Sequence, residues 1–253
     1  MDRAGLESLL YLMVLFLPLL YLPRFLQREI QSIFLLLTRQ PEISMVLFSL
    51  LFLPGVFLHE TSHFLMARLL NVKTGRFSLI PKKLGNGRLQ LGYVETASTD
   101  FVRDALIGAA PLVVGSLVIG FIGVSRLEFN ALWGSLAQGQ VNSLRMAVKS
   151  IMDQPDFWVW FYLVFTISST MMPSSSDRRA WLPLFILIGF FLDLVLLFGA
   201  GPWFFSHMGS AIQSALNAII IVFGITVFVH IFLFPPVWLV RRLLSHITGY
   251  QVV

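Results

Sequence analysis

Residues 43–70 read ISMVLFSLLFLPGVFLHETSHFLMARLL, an apolar run that contains two histidines and one glutamate. The run is longer than the roughly 20 residues that a helix needs to cross the hydrocarbon of a bilayer. Ionisable side chains inside such a helix are costly, so they usually have a function. This stretch therefore predicts a membrane protein and also marks where its chemistry lies.

The composition of the whole chain agrees with a membrane protein. Of the 253 residues, 57% are hydrophobic and 12% are charged, against about 25% charged residues in soluble domains. A soluble domain of this size has no room to bury so much apolar surface, which excludes a water-soluble enzyme, a disordered tail and a nucleic-acid-binding module. The absence of cysteine excludes disulfides, thiolate metal sites and a cysteine nucleophile. The lipid bilayer is thus an expected partner, and nucleic acid is not.

We expect an all-α polytopic membrane protein with about six transmembrane helices, because a segment in lipid must satisfy its own backbone hydrogen bonds. The apolar stretches that predict these helices are residues 6–22, 43–70, 105–124, 157–172, 181–200 and 215–240. Residues 30–37 are apolar but too short to span, so they are predicted to lie at the interface.

Basic residues predict the orientation. Twelve Lys and Arg residues fall on the side that holds the N-terminus, and six fall on the opposite side. Because cytoplasmic loops carry the excess of Lys and Arg, both termini are predicted to be cytoplasmic. The first span is long for a signal peptide and lacks a cleavage site, so we expect it to be retained. Short loops favour a prokaryotic inner membrane.

The spans group into three units. Residues 1–42 form an N-terminal span with its interfacial segment, residues 43–200 form a core, and residues 201–253 form a C-terminal span with a basic tail. Within the core, residues 126–156 are polar but amphipathic, and they predict an interfacial helix outside the membrane.

A small β-hairpin is predicted after the second span, at residues 76–96. Leu89, Leu91 and Tyr93 alternate with polar residues, as in a half-exposed strand. The Gly-Asn-Gly sequence at 85–87 supplies the residues that a tight turn requires. We therefore expect a membrane-associated hairpin on the cytoplasmic side.

His59-Glu60-Thr61-Ser62-His63 is a His-Glu-x-x-His motif within the apolar run. Residues four apart lie on one face of a helix, so both imidazoles can reach one metal ion. Glu60 is then placed to act as a general base toward a water at an open coordination position. Zn²⁺ fits two neutral imidazoles and one carboxylate.

The third ligand has two candidates, Asp177 and Asp193. Pro173 and the three serines after it break the fourth span near its cytoplasmic end, so they present Asp177 from irregular backbone. Asp193 lies in the middle of an apolar stretch, where it is equally interpretable as a partner for a buried polar group. We favour Asp177. His230, inside the last span, is interpreted as a buried hydrogen-bonded residue in preference to a partner that supports a metal ligand, and His207 is placed in a loop.

These motifs resemble the site-2 protease family of intramembrane zinc metalloproteases. The resemblance lies in the His-Glu-x-x-His helix leading into a hairpin, in Gly108-Ala109-Ala110-Pro111, and in Pro173-x-x-x-Asp177. It implies that His59, His63 and Asp177 are zinc ligands and that Glu60 is the catalytic base. Two positions depart from the family pattern. Thr170 stands where the family has an asparagine thought to help hold substrate or the backbone of the active site, and Arg178 stands where it has a glycine.

The leading hypothesis is an intramembrane protease whose partner is a membrane-spanning protein substrate. The predicted strand with Leu89, Leu91 and Tyr93 would hold the unwound substrate by strand addition, and Thr170 is a further candidate for substrate binding. An inactive zinc-binding protein that binds partners is the second hypothesis, motivated by Thr170 and Arg178. A transporter with a proton or metal path is the third, but the sequence shows no repeated halves. The sequence gives no indication of the oligomeric state.

Overall fold

The computed structural model describes residues 3–83, 89–129, 134–135 and 141–250. It is mostly helical, with two small antiparallel ladders, as predicted. The elements in chain order are α1 (Arg3–Thr38), α2 (Pro41–Leu51), α3 (Leu53–Leu69), β1 (Thr74–Ser78), β2 (Lys82–Lys83), β3 (Leu89–Gln90), β4 (Tyr93–Thr96), α4 (Phe101–Ser125), α5 (Val141–Met152), α6 (Phe157–Thr170), α7 (Trp181–Leu197) and α8 (Gly201–Thr248).

The long apolar helices support a membrane protein. Among the described residues, three helices are long and apolar enough to cross a bilayer, namely α1, α4 and α8. The bent pair α2 and α3 forms a fourth crossing if it is counted as one span, while α6 and α7 are shorter apolar helices. The predicted number of about six spans is therefore not confirmed.

Helix α1 is longer than the predicted first span. It continues through Pro18 and Pro23, although each proline removes a helical hydrogen bond. The helix buries Leu19 and Leu26 almost completely along its contact with α8, and this packing offsets the lost bonds. The prediction of a span that ends at residue 22 with a separate interfacial segment at 30–37 is therefore wrong.

The predicted span at residues 43–70 is broken rather than continuous. Helices α2 and α3 meet at Phe52 with a bend of 70°. Pro54 lies at the first turn of α3, where proline is tolerated because its missing N–H has no helical partner there. Phe52 is fully buried against Phe48 and Phe165, which fixes the corner. The His-Glu-x-x-His motif thus lies on a helix of its own.

The hairpin predicted at residues 76–96 is confirmed as two antiparallel ladders, β1 with β4 and β2 with β3. Phe77 pairs with Val94 in the first ladder, which begins at Thr74, earlier than predicted. Residues 84–88, with the predicted Gly-Asn-Gly turn, lie outside the described residues. Within the described part of the chain, β4 pairs with β1 alone, so its other edge carries no strand.

Helices α1 and α8 run in the same direction. The Ser8 hydroxyl donates to the Asn217 side-chain oxygen at 3.2 Å, and Arg241 pairs with Glu29 further along both helices. Six crossings would make the first and last spans antiparallel, so this packing is at odds with both termini on one side. Helix α8 is also continuous from residue 201, so His207 is helical rather than in a loop.

The centre of the molecule is a close-packed group of α3, α4 and α6. A Cβ added to Gly55 of α3 would lie 2.3 Å from the Thr166 carbonyl oxygen of α6, so the two backbones are in direct contact. Helix α5 covers part of this group with Ala147 and Ile151, as expected for an amphipathic segment within 126–156. This packing places the first half of α3 beside the end of α6, with α4 packed against both helices.

Candidate metal centre

Three predicted ligands come together at this point. The Nε2 atoms of His59 and His63 are 3.2 Å apart, and the two carboxylate oxygens of Asp177 lie 3.9 Å and 3.6 Å from them. Tetrahedral zinc with bonds of about 2.0–2.1 Å places neighbouring ligand atoms about 3.3 Å apart. The Oδ2 atom is the one near His59 and the Oδ1 atom is the one near His63, so the three side chains are close enough to bind one zinc ion together.

The orientation of His63 is set by α4. Its Nδ1 lies 2.8 Å from the carbonyl oxygen of Ile107, and a carbonyl can only accept a hydrogen bond. The proton of the neutral ring is therefore on Nδ1, which leaves the lone pair of Nε2 directed at His59 and Asp177. Histidines that bind metals are held in this way, with the second ring nitrogen donating to a carbonyl or a carboxylate.

His59 completes the nitrogen pair. Two bare nitrogen lone pairs 3.2 Å apart repel each other, so either a proton or a cation must lie between them. The Nδ1 of His59 is buried and has no hydrogen-bond partner among the described residues. A neutral His59 with its proton on Nε2 donates to His63. When the His59 proton is on Nδ1 instead, the Nε2 lone pairs of both histidines are free to bind one cation.

Asp177 lies in the non-helical turn predicted after Pro173. The backbone N–H of Ser174 donates to its Oδ2 at 2.7 Å, and the Arg178 side chain donates to the Ser174 carbonyl at 3.2 Å. A Cβ on Gly108 of α4 would lie 2.0 Å from the Asp177 carbonyl oxygen. The glycine in the Gly-Ala-Ala-Pro sequence therefore allows the turn to approach α4 closely enough for the carboxylate to face the histidines.

A bidentate ion pair joins the same turn to α4, and no pattern in the sequence predicts it. The Nε and Nη2 atoms of Arg179 donate to the two oxygens of Asp104 at 2.7 Å and 2.9 Å. These hydrogen bonds raise the pKa of the Arg179 guanidinium further, so Arg179 stays charged. The two residues are 75 positions apart, and no local pattern connects them.

We expect the substitution Asp104→Asn to weaken zinc binding by about tenfold, the lower end of the effect of groups that orient metal ligands. Competition with a chelator in detergent measures this affinity. The exchange Asp104→Arg with Arg179→Asp should restore it, because the pair is remade. Arg103→Gln is the matched control, since Arg103 pairs with Asp100 and not with the turn. An unchanged affinity in Asp104→Asn would show that the pair does not position Asp177.

Glu60 lies beneath the segment that links β3 and β4. Glu60 is 8% exposed, and a Cβ on Gly92 would lie 2.9 Å from the Glu60 Cγ. Leu91 packs against the hydrophobic core. Any side chain at position 92 would therefore displace this segment from the glutamate. The hairpin and the predicted catalytic base are in direct contact, which the sequence did not indicate.

The other predicted substrate-binding residues are less open than expected. The Thr170 hydroxyl donates to the Thr166 carbonyl at 2.9 Å and adjoins Gly55, so it faces α3 rather than an open cleft. The Tyr93 hydroxyl accepts a hydrogen bond from Lys82 at 3.2 Å. Leu89 is in β3, but its side chain lies outside the described part of the chain.

Two further residues are separated from the centre. Asp193 is exposed on α7 and does not belong to the group of His59, His63 and Asp177. His230 is fully buried, with its Nδ1 2.7 Å from the Thr226 carbonyl and its Nε2 3.0 Å from the Ser169 hydroxyl. The interpretation of His230 as a buried hydrogen-bonded residue is confirmed.

Comparisons with protein-family models, with characterised proteins and with solved structures give no match for this chain. The function is therefore inferred from the arrangement of the site.

Proposed function

We propose that this protein is an intramembrane zinc metalloprotease that hydrolyses peptide bonds in or near the membrane-spanning segments of other membrane proteins. One observation carries the proposal. The ligand atoms of His59, His63 and Asp177 lie within 4.8 Å of one another, beside the middle of the apolar helix that also holds Glu60.

The donor set favours zinc among the common divalent ions. Two imidazole nitrogens suit Zn²⁺, whereas Mg²⁺ and Ca²⁺ take oxygen ligands. A bound zinc ion supplies a polarised carbonyl and a water whose pKa is lowered to about 7. Of the chain's own groups, His59 and His63 hold the ion with Asp177, and Glu60 accepts and returns the proton of the attacking water.

The hairpin supports a role in holding substrate. A helical peptide bond is protected by its own hydrogen bonds, so a substrate must unwind before it can be cut. The unpaired edge of β4 offers backbone groups to an extended segment, and Gly92 brings this end of the hairpin against Glu60. A substrate strand added at Tyr93 and Val94 would thus run past the predicted catalytic base.

Proline at Val94 is expected to abolish cleavage while zinc binding is retained. Proline lacks the N–H that a strand donates, and Val94 is remote in sequence from all three proposed ligands. Metal analysis of the purified variant and a cleavage assay measure the two effects. Val94→Ala keeps the N–H and serves as the control. Loss of zinc together with activity in Val94→Pro would mean that the hairpin supports the metal site rather than the substrate.

We further propose that the protein resides in a prokaryotic inner membrane with its termini on opposite sides. The polar contacts of Ser8 and Glu29 with α8 lie about 31 Å apart along α1 at 1.5 Å per residue, close to the ~30 Å thickness of bilayer hydrocarbon. They are thus expected to mark the two interfaces. Because the chain has no cysteine, labelling of single cysteines introduced near each terminus with an impermeant reagent tests this. Labelling of both from one side would contradict it.

The alternative is a zinc-binding membrane protein that binds partners without cutting them. The observation that favours it is the burial of Glu60 beneath Gly92, which closes the path to the base. Arg178, where the resembling family has glycine, uses its side chain to brace the Ser174 carbonyl. A binding protein would retain zinc and cut nothing under any condition.

Removal of zinc is the direct test of the proposed function. We expect the purified protein in detergent to cut an unfolded polypeptide, to lose this activity with a chelator, and to regain it with added zinc. Mass spectrometry of the products measures the cut. A wild-type protein that is well folded but binds no added zinc would overturn the proposal.

A further inference from the structure

Helix α7 leaves a long apolar surface unpartnered. Seventeen residues form this helix, and none of them is buried against the rest of the described chain. Leu182 is 69% exposed and Ile186 is 65% exposed, although both are large and apolar. Lipid can cover such a surface, so exposure alone does not identify a partner. The shape and the charge of this face indicate which kind of partner it fits.

The shape is a groove between the start of α4 and α7. The groove has a volume of about 600 Å³ and is lined by Phe101, Leu182, Pro183, Ile186, Leu187 and Phe190. Its lining on α7 recurs every four residues, which follows one face of the helix. A groove of this form fits the side chains of a second helix packed alongside α7.

The charge on this face belongs to Asp193, which lies on the same side of α7 one turn beyond Phe190. It is exposed and has no hydrogen bond or ion pair within the described part of the chain. Lipid offers no partner to a carboxylate, and ionisable residues inside a membrane usually pair with a complementary group. A helix that occupies the groove and carries a basic side chain at this depth would supply that group.

We propose that α7 and the first turn of α4 form a docking surface for a membrane-spanning helix that carries a lysine or arginine, with the basic residue paired to Asp193. Asp193 lies about 18 Å along α7 from Trp181 at 1.5 Å per residue, near the middle of a ~30 Å hydrocarbon layer. The basic residue therefore belongs near the centre of the partner helix, where it needs such a carboxylate.

The position of the groove connects it to the metal centre. Leu182 and Pro183 follow closely on the turn that holds Asp177, so a docked helix lies beside the proposed catalytic site. Treating that helix as a substrate rests on the proposed function, whereas its docking does not. The surface would then select substrates by a central basic residue before any part of them unwinds.

Binding of a synthetic helix tests the proposal. The probe is a peptide of about 20 leucine and alanine residues with a central lysine, and the matched peptide has leucine in its place. Energy transfer from a donor dye on the end of the peptide to an acceptor dye on a single cysteine, Phe198→Cys, measures binding in lipid vesicles. The protein also carries Glu60→Gln, so that no peptide is cut and a failure of binding is separate from a failure of the protease.

We expect the lysine peptide to bind about tenfold more tightly than the leucine peptide, as for a polar contact between helices in lipid. Asp193→Glu should keep this preference, and Asp193→Leu should remove it. Moving the carboxylate to the far face, with Ile188→Asp added to Asp193→Leu, should not restore it. Equal binding of both peptides to the parent protein, a preference that survives Asp193→Leu, or occupation of the surface by a second copy of the chain would overturn the proposal.

Discussion

The substitution Glu60→Gln is expected to reduce peptide-bond hydrolysis by about 10²- to 10⁴-fold, the usual contribution of a general acid–base group, while zinc is retained. The amide has nearly the same shape as the carboxylate, so the contact with Gly92 is kept. It cannot accept a proton from the attacking water. Product formation and zinc content, measured on the same purified sample, separate the chemical step from metal binding.

Glu42→Gln is the matched control for this experiment. Glu42 is exposed in the first turn of α2, on the far side of the bend at Phe52, and its loss should leave both activity and zinc unchanged. If Glu60→Gln cuts as fast as the wild type, then another group moves the proton and the assignment of Glu60 is wrong. If the wild type binds zinc and cuts no polypeptide, the partner-binding alternative gains support.

The part of the site that could be predicted is the part fixed by local geometry. His59 and His63 share a helix, so their spacing follows from the helical repeat without knowledge of the fold. Asp177 follows a proline and a run of serines, which predict a break in the helix and a carboxylate presented from irregular backbone. Both inferences needed only neighbouring residues, and the structure brings these three side chains together.

The supporting contacts could not be predicted because they join distant parts of the chain. The Ile107 carbonyl that orients His63 is a backbone group, so no residue type marks it. Asp104 and Arg179 are two charged residues among many near the ends of spans. Gly92 is unremarkable in a hairpin until its contact with Glu60 is seen.

The predicted ends of the helices differ from those in the structure for a different reason. Hydropathy reports which residues prefer lipid, but not where a helix ends. Helix α1 passes through two prolines because its contact with α8 stabilises it. Pro54 is a local signal for the bend at Phe52, but apolar residues lie on both sides of it, so hydropathy alone predicts one continuous span. The direction of α8 relative to α1 follows from polar pairs that no single segment reveals.

The substitution Asp177→Ala is expected to weaken zinc binding more than about 100-fold, beyond the range found for groups that merely orient a ligand. It removes one of three protein ligands and also the negative charge next to two imidazoles. The nitrogen pair of His59 and His63 then holds a proton between its Nε2 atoms, which competes with the cation. Metal content after dialysis against a weak chelator measures the loss, and cleavage activity should disappear with it.

Asp193→Ala is the decisive comparison, because it removes the other acidic candidate. Asp193 lies outside the ligand group, so its loss should leave one zinc ion per chain bound. Asp177→Asn refines the result, since the amide keeps an oxygen at the same position without the charge, and it should bind zinc more weakly than the wild type but better than Asp177→Ala. Retention of zinc in Asp177→Ala together with its loss in Asp193→Ala would require a different fold around the histidines.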